Sequence, residues 1–255
     1  MHKFFTEPYN ITEIEGRILG DDVKHIYKVL RLSEGEEVVL NNCEGIEYLG
    51  KIKTITKSEV IVSIIKRLDI NNESKIKVHL FQGLPKGQKM DLIVQKGTEL
   101  GVHEFIPTIT ARVDVKLKGE FKKLDRLNRI ALEASKQSKR SIIPQVREVV
   151  DFEEALSGLK DMDLVIIPYE NAEAFGIKSL MRQLEKENID LNNINNVGIL
   201  IGPEGGFEEE EINTLKAHGA YIVTLGNRIL RTETAGFISA ALIQYELGDL
   251  GGMLL

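Results

Sequence analysis

From Ile76 onward, short apolar runs alternate with amphipathic helical stripes, and this alternation constrains the fold more than any other feature of the chain. Strand-like runs at Ile76–Gly83, Glu104–Thr108, Leu164–Ile167, Val197–Leu200 and Tyr221–Val223 are interleaved with helical patterns at Met90–Leu100, Phe121–Lys139 and Ile177–Lys186. Strands joined through helices run parallel and are covered on both faces, so an α/β fold is expected. Two of the strand-to-helix connections stand out. Ile201–Phe207 reads IGPEGGF, and Leu225–Gly236 reads LGNRILRTETAG. A strand ending in a glycine-rich turn before a helix leaves backbone N–H groups free at its carboxyl end, where ligands bind in such sheets. Two such turns close in sequence suggest one pocket built from neighbouring loops.

Taken alone, Gly202-Pro203-Glu204-Gly205-Gly206 serves equally well as a tight turn. Glu208 to Glu211 reads as a solvated first helical turn with no chemistry assigned. The second loop is harder to dismiss. Arg231, Thr232, Glu233 and Thr234 sit where a helix begins, ahead of the apolar face Ala235, Ile238, Ala241, Leu242 and Tyr245. A helix cap needs one threonine, which leaves Arg231 and Glu233 surplus to capping. Neither loop is a dinucleotide fingerprint or a P-loop, because no G-x-G-x-x-G opens the first strand–helix unit and no G-K-[ST] follows the glycines.

The first 71 residues read as a separate unit, with the boundary in the polar stretch Asp69–Ser74. Val23, Ile26, Tyr27 and Leu30 predict a helix over Asp21–Leu32, beside a stripe of Lys24, Lys28 and Arg31. Strand-like runs at Glu37–Leu40, Ile46–Ile55 and Val60–Ile65 follow, spaced as in a small barrel. Between Arg112 and Arg140 there are ten Lys/Arg against four Asp/Glu, in a chain of net charge −6. Such an excess is either the wet face of a helix or an RNA footprint, with Arg112 and Arg140 as candidate contacts.

Together these segments resemble the SPOUT class of S-adenosylmethionine-dependent RNA methyltransferases, and within it the RsmE family. The resemblance runs the length of the chain: Lys3-Phe4-Phe5, His25 with Val29-Leu30-Arg31, Lys89-Met90-Asp91, Gln95 to Val102, Gln137-Ser138-Lys139-Arg140, Pro144 and the two loops. One departure is visible. Around Gln137-Ser138 the family usually carries an acidic residue and a glycine, where this chain has Lys136 and Lys139. The resemblance implies a PUA-like β-barrel over 1–71 and a SPOUT domain over 72–255, a parallel sheet with a C-terminal trefoil knot. It implies methylation of N3 of a uridine in 16S rRNA of the small ribosomal subunit, and a homodimer paired through the C-terminal helix. Apolar residues on more than one side of that helix (Phe237, Ile238, Leu242, Ile243 and Tyr245 among them) fit the pairing.

Methyl transfer to a uracil nitrogen requires loss of N3–H and stabilisation of the resulting anion. Arg231 is the expected stabiliser, being a fork of donors that stays charged. Glu233 is the other catalytic candidate, either accepting the proton or pairing with Arg231, and the residues do not choose between these. The cofactor is expected against Ile201, Gly202, Pro203, Gly205, Gly206, Leu225 and Gly226, with Tyr169, Glu170, Thr232, Thr234 and Ala235 nearby and Ile229 and Leu230 against the adenine. RNA is expected on Lys24, Lys28, Arg31, Arg112 and Arg140. The single Cys43 excludes an internal disulfide, five scattered histidines lack metal-ligand spacing, and no apolar run reaches membrane-span length. Met1–Asn10 lacks the apolar core of a signal peptide, so no metal, no membrane and a cytoplasmic location are expected. Two competing readings are a non-catalytic RNA-binding or ribosome-assembly protein with a relict pocket, and an α/β enzyme for a small phosphorylated metabolite. The intact Arg231-Thr232-Glu233-Thr234 set argues against the first, because a relict site has no need of surplus polar groups; the N-terminal unit and the basic stretch argue against the second.

Overall fold

The computed structural model describes residues 1–69, 72–115, 121, 123–172 and 174–252. Asn71, the last residue of the expected N-terminal domain, and Lys116, Lys118 and Lys122 of the basic stretch lie outside the described residues. The chain forms two compact units, Met1–Glu73 with Ser135–Ile143, and Ser74–Ala134 with Pro144–Leu255.

In the first unit, β1 (His2–Phe5), β2 (Glu15–Leu19), β3 (Glu37–Asn41), β4 (Glu47–Ile55) and β5 (Glu59–Leu68) form one sheet in the order β1-β3-β4-β5-β2. Only the β1–β3 pairing is parallel. The sheet curls into a half-barrel around Phe4, Ile18, Val38, Leu40, Ile52, Val60 and Val62, residues that alternate along their strands. Its edge strands meet through a side chain, with Thr6 Oγ1 donating to the Arg17 carbonyl at 2.6 Å.

The expected Asp21–Leu32 helix is regular only over α1 (Asp21–Lys24); His25–Leu30 continue as a wider π-helical turn. Val23 and Ile26, three residues apart and so on one face, are fully buried. Arg31, at φ 54°, ends the turn in the left-handed region, and Leu32 N–H returns to the Ile26 carbonyl. Ser135–Ile143 is held in this unit by a polar cluster. Buried Glu47 accepts from Lys3 Nζ, Asn41 Nδ2 and Ser141 Oγ, while Glu73 accepts from the amides of Ser141 and Ile142. Lys136 pairs with Asp22 at 3.1 Å. Lys139, which stands where the resemblance has a glycine, takes up φ 59°, a conformation that favours glycine.

The second unit runs β6 (Lys77–Gly83), α2 (Lys89–Glu99), β7 (Val102–Ile109), α3 (Leu124–Ser138, whose last residues from Ser135 belong to the first unit), β8 (Gln145–Val146), β9 (Val150–Asp151), α4 (Phe152–Leu159), β10 (Leu164–Pro168), α5 (Ile177–Lys186), β11 (Asn196–Ile201), α6 (Glu209–Ala217), β12 (Tyr221–Val223) and α7 (Thr232–Glu246). Every strand pairing is parallel, in the order β12-β10-β11-β6-β7-β8, with β9 also on β7. α4, which sequence periodicity left unmarked, is short and begins with a reciprocal cap between Asp151 and Glu154. On one face Phe81, Ile106, Ile167 and Leu200 pack against Ala155, Leu156 and Leu159 of α4 and Ile212 and Leu215 of α6. On the other, α2 and α7 pack together and onto β6, β7 and β11. No described helix is long and apolar enough to cross a membrane.

Candidate functional site

The two glycine loops leave the carboxyl ends of β11 and β12, in the sheet where β11 lies between β6 and β10. This is where strand order reverses, and a crevice opens at such a point. Gly83 ends β6 so close to the first loop that a Cβ there would fall 2.6 Å from Pro203 N. Thr232 ties the start of α7 to both strands: its Oγ1 donates to the Gly202 carbonyl at 2.6 Å and accepts from Gln82 Nε2 at 2.9 Å. Within the loop Gly206 takes φ 69°, its amide returning to the Pro203 carbonyl, and a Cβ there would meet Glu170 Oε1 at 3.1 Å.

The loop is braced from outside. Glu204 accepts from the Lys86 amide and from Lys89 Nζ at 2.8 Å. Burial works against this carboxylate, yet the bonds from Lys89 and the backbone amides hold its pKa below the usual range. The same bond to Glu204 raises the pKa of Lys89, so its ammonium stays charged. Arg112 donates to the Gly205 carbonyl at 2.9 Å and forks onto Glu208 at 2.9 and 3.0 Å. The Glu208–Glu211 turn, expected to be only solvated, is structural: Glu208 and Glu211 cap α6 reciprocally, and buried Glu211 accepts the Ala111 amide. In the second loop Gly226 has φ 107°, and its amide bonds Thr224 Oγ1. Among the described residues, the amides of Leu225 and Asn227 to Arg231 donate to no backbone acceptor.

Two adjoining cavities result. One, of about 420 Å³, is walled by Gly202–Phe207, Lys89, Arg231 and Thr232. The other, of about 270 Å³, is walled by Tyr169, Thr224 and the 225–230 loop. Pro168, Glu170, Ile229, Leu230 and Ala235 line both. The structure thus gathers Tyr169, Glu170, Ile201, Gly202, Pro203, Gly205, Gly206, Leu225, Gly226, Ile229, Leu230, Arg231, Thr232 and Ala235 around one crevice; Thr234 lines neither cavity. Ile229 is 89% exposed, so no described residue of this chain presses it onto a ligand. Glu233 also lines neither cavity and is largely buried; among the described residues its Oε2 has no hydrogen-bond donor, and it lies 3.6 Å from Lys89 Nζ. Lys89 and Gln82 were not among the sequence candidates. Lys89 belongs to the Lys89-Met90-Asp91 segment of the resemblance and Gln82 precedes Gly83, but neither segment by itself marks a site, and the packing of α2 and β6 brings both residues to the crevice.

The RNA candidates divide. Lys24, Lys28 and Arg31 are exposed, with the Lys28 ammonium 5.8 Å from the Tyr27 ring centre. Arg112 is half-exposed but engaged with Glu208. Arg140 is an internal group, 5% exposed and paired with Glu73 at 2.6 Å, so its charge is spent within its own unit and is not presented outward.

These folds and the crevice define an RNA methyltransferase domain and a PUA domain in one chain. The family model for the RNA methyltransferase domain matches residues 72–244, and that for the RNA methyltransferase PUA domain matches 18–65. Ribosomal RNA small subunit methyltransferase E of Bacillus subtilis (strain 168) is 37% identical over 237 residues, covering 92% of this chain and 91% of that protein. Its Aquifex aeolicus (strain VF5) counterpart is 31% identical over 239 residues, covering 92% and 95%. The crystal structure of ribosomal RNA small subunit methyltransferase E from Neisseria gonorrhoeae, bound to S-adenosyl methionine, matches with a TM-score of 0.81 at 28% identity, over 98% of this chain and 99% of that one. The chain belongs to the ribosomal RNA small subunit methyltransferase E family.

Proposed function

We propose that this chain transfers the methyl group of S-adenosylmethionine to N3 of a uridine in the 16S rRNA of the small ribosomal subunit. The observation that carries this reading is the crevice, in which two glycine loops and the Arg231-Thr232 helix start converge in a chain of this family. Its residues fit the cofactor. Gly205, Gly206 and Gly226 keep side chains out of the walls, and the row of amides without backbone acceptors in the second loop supplies donors. Glu170 adds a carboxylate suited to a cationic ligand. The cofactor, when bound, supplies a methyl group already activated for displacement.

What remains for the protein is to orient the uracil and stabilise it as an anion. Arg231 lines the larger cavity and has no carboxylate partner among the described residues, so its guanidinium is the donor for that anion. Glu233, two residues on, takes the N3 proton. RNA contact falls to exposed Lys24, Lys28 and Arg31, with Arg112 at the loop. A second copy covers the outer side of α7, where Leu242 and Tyr245 are 36% and 60% exposed. Action on ribosomal RNA puts the enzyme in the cytoplasm.

The test is mass-spectrometric mapping of small-subunit rRNA from a strain lacking the gene, which should show one uridine without its N3 methyl group. The purified protein with S-adenosylmethionine should restore it. Unchanged methylation in the deletion strain would sink the reading.

A further inference from the structure

One charged group in the crevice has no task in the reading above. Lys89, at the start of α2, lines the larger cavity together with Arg231. Its ammonium gives one proton to Glu204 Oε1 at 2.8 Å. It lies 3.6 Å from Glu233 Oε2, beyond hydrogen-bond reach, and that buried oxygen has no other donor among the described residues. A buried carboxylate oxygen left without a donor is costly, and such groups in native sites point to a missing partner. An ammonium has three N–H donors and no acceptor, so Lys89 has donors beyond the one Glu204 takes.

The crevice wall therefore carries two cationic donors, Lys89 and Arg231, beside the carboxylates of Glu170 and Glu204, while Glu233 lines neither cavity and lies 3.6 Å from the Lys89 ammonium. The pairing edge of uracil offers each of the two cations an acceptor, with O4 and O2 on either side of the N3–H donor. Cytosine offers an amino donor, a bare N3 and one oxygen, and would set its amino group against a cation. We propose that Lys89 is a specificity-determining residue that donates to one carbonyl oxygen of the uracil, with Arg231 on the other and Glu233 on N3–H. The inference rests on the uridine-N3 reading above. In the proton step the N3–H bond breaks, the proton goes to the Glu233 carboxylate, and the electron pair stays on N3 and spreads onto O2 and O4. Both oxygens then carry negative charge beside a cation, which is where preorganised donors act most strongly.

The experiment uses the full chain, as wild type, Lys89→Met and Lys89→Arg. Transcripts of the small-subunit rRNA are made with uridine, 2-thiouridine or 4-thiouridine, and single-turnover methylation is measured beside calorimetric binding of S-adenosylhomocysteine. Lys89→Met should lose roughly 10²-fold in turnover, keep S-adenosylhomocysteine affinity within a few-fold, and be partly rescued by Lys89→Arg. Sulfur is a weak acceptor, so one of the two thio substitutions should slow the wild type about tenfold more than it slows Lys89→Met. Taking that ratio between proteins cancels the effect of sulfur on N3 acidity. Equal ratios for both analogues would overturn the proposal. So would loss of S-adenosylhomocysteine binding in step with turnover, which would make Lys89 a brace for the glycine loop through Glu204. A wild type that methylates no uridine of the transcript would bring down the uridine reading, and this inference with it.

Discussion

Arg231 and Glu104 show how two charged residues in one unit come to do different work. Arg231 sits at the mouth of α7, exposed and facing the larger cavity. Removing one preorganised donor from a developing anion typically costs roughly 10²–10³ in turnover. Arg231→Ala is therefore expected to lose most single-turnover methylation while calorimetry finds cofactor affinity within a few-fold of wild type. Equal loss of both would make Arg231 a binding residue. Glu104, by contrast, lies toward the amino end of β7, away from the crevice. It accepts from His79 Nδ1 at 2.6 Å and Arg147 Nε at 2.7 Å, and the His79 bond leads in lowering its pKa from 4.5 to about 2, with Arg147 adding to it against the opposing effect of burial. A depressed carboxylate pKa contributes stability that is present above pH 4.5 and is lost as pH falls toward 2. Glu104→Gln should accordingly lower the melting temperature at pH 7 and flatten its fall across that acid window. An unaltered acid slope would show that the pair carries no such linkage.

Among the elements, the junction of β6 with the first glycine loop is the tightest part of the site. A Cβ on Gly83 would lie 2.6 Å from Pro203 N and 2.8 Å from the Ile201 carbonyl oxygen, both backbone atoms that cannot swing aside. Gly83→Ala should destabilise the chain by roughly 1–3 kcal/mol and weaken cofactor binding together with it, since the loop must move to make room. Denaturant melts and calorimetry on the same variant test this, and wild-type values in both would mean the strands part without cost. The π-helical turn of the first unit makes a different prediction. It carries Lys28, with Lys24 before it and Arg31 after it, and all three side chains are exposed. Each phosphate contact on single-stranded RNA contributes about 0.7 to the log–log salt slope of binding. Neutralising the three should therefore flatten the slope by about 2. An unchanged slope would make the stripe an ordinary solvated face.

For the whole molecule, the question is what covers α7. Its inner side, with Gly236, Ala240 and Ile243, is buried, and the helix packs on α2, β6 and β11. Leu242 and Tyr245 remain exposed on the outside, and Ile229 stands almost free beside the crevice. A second copy seated there would bury all three, and it would supply Ile229 with the partner that one chain lacks. Light scattering should then give about twice the 28.6 kDa chain mass. Leu242→Glu combined with Tyr245→Glu should yield a folded monomer with weakened cofactor binding. A wild-type monomer with full activity would remove the second copy from the proposal.

The sequence by itself determined the parallel α/β unit and the two loops of the crevice. Helical and strand periodicities and the turn chemistry of glycine and proline act over a few residues, so IGPEGGF and LGNRILRTETAG carry their conformations locally. β1 and β2 were not legible. HKFF and EGRIL are short and weakly alternating, and they become strands only by pairing with β3 and β5. Periodicity likewise predicted an unbroken α-helix where His25–Leu30 form a π-helical turn. Charge counting marked Arg140 as a candidate contact, and Glu73 enclosed it. It passed over Lys89, which the packing of α2 against α7 set beside Glu233. Tertiary structure alone decided these matters, because burial and ion pairing join residues far apart in the chain, and no local pattern encodes which of them will meet.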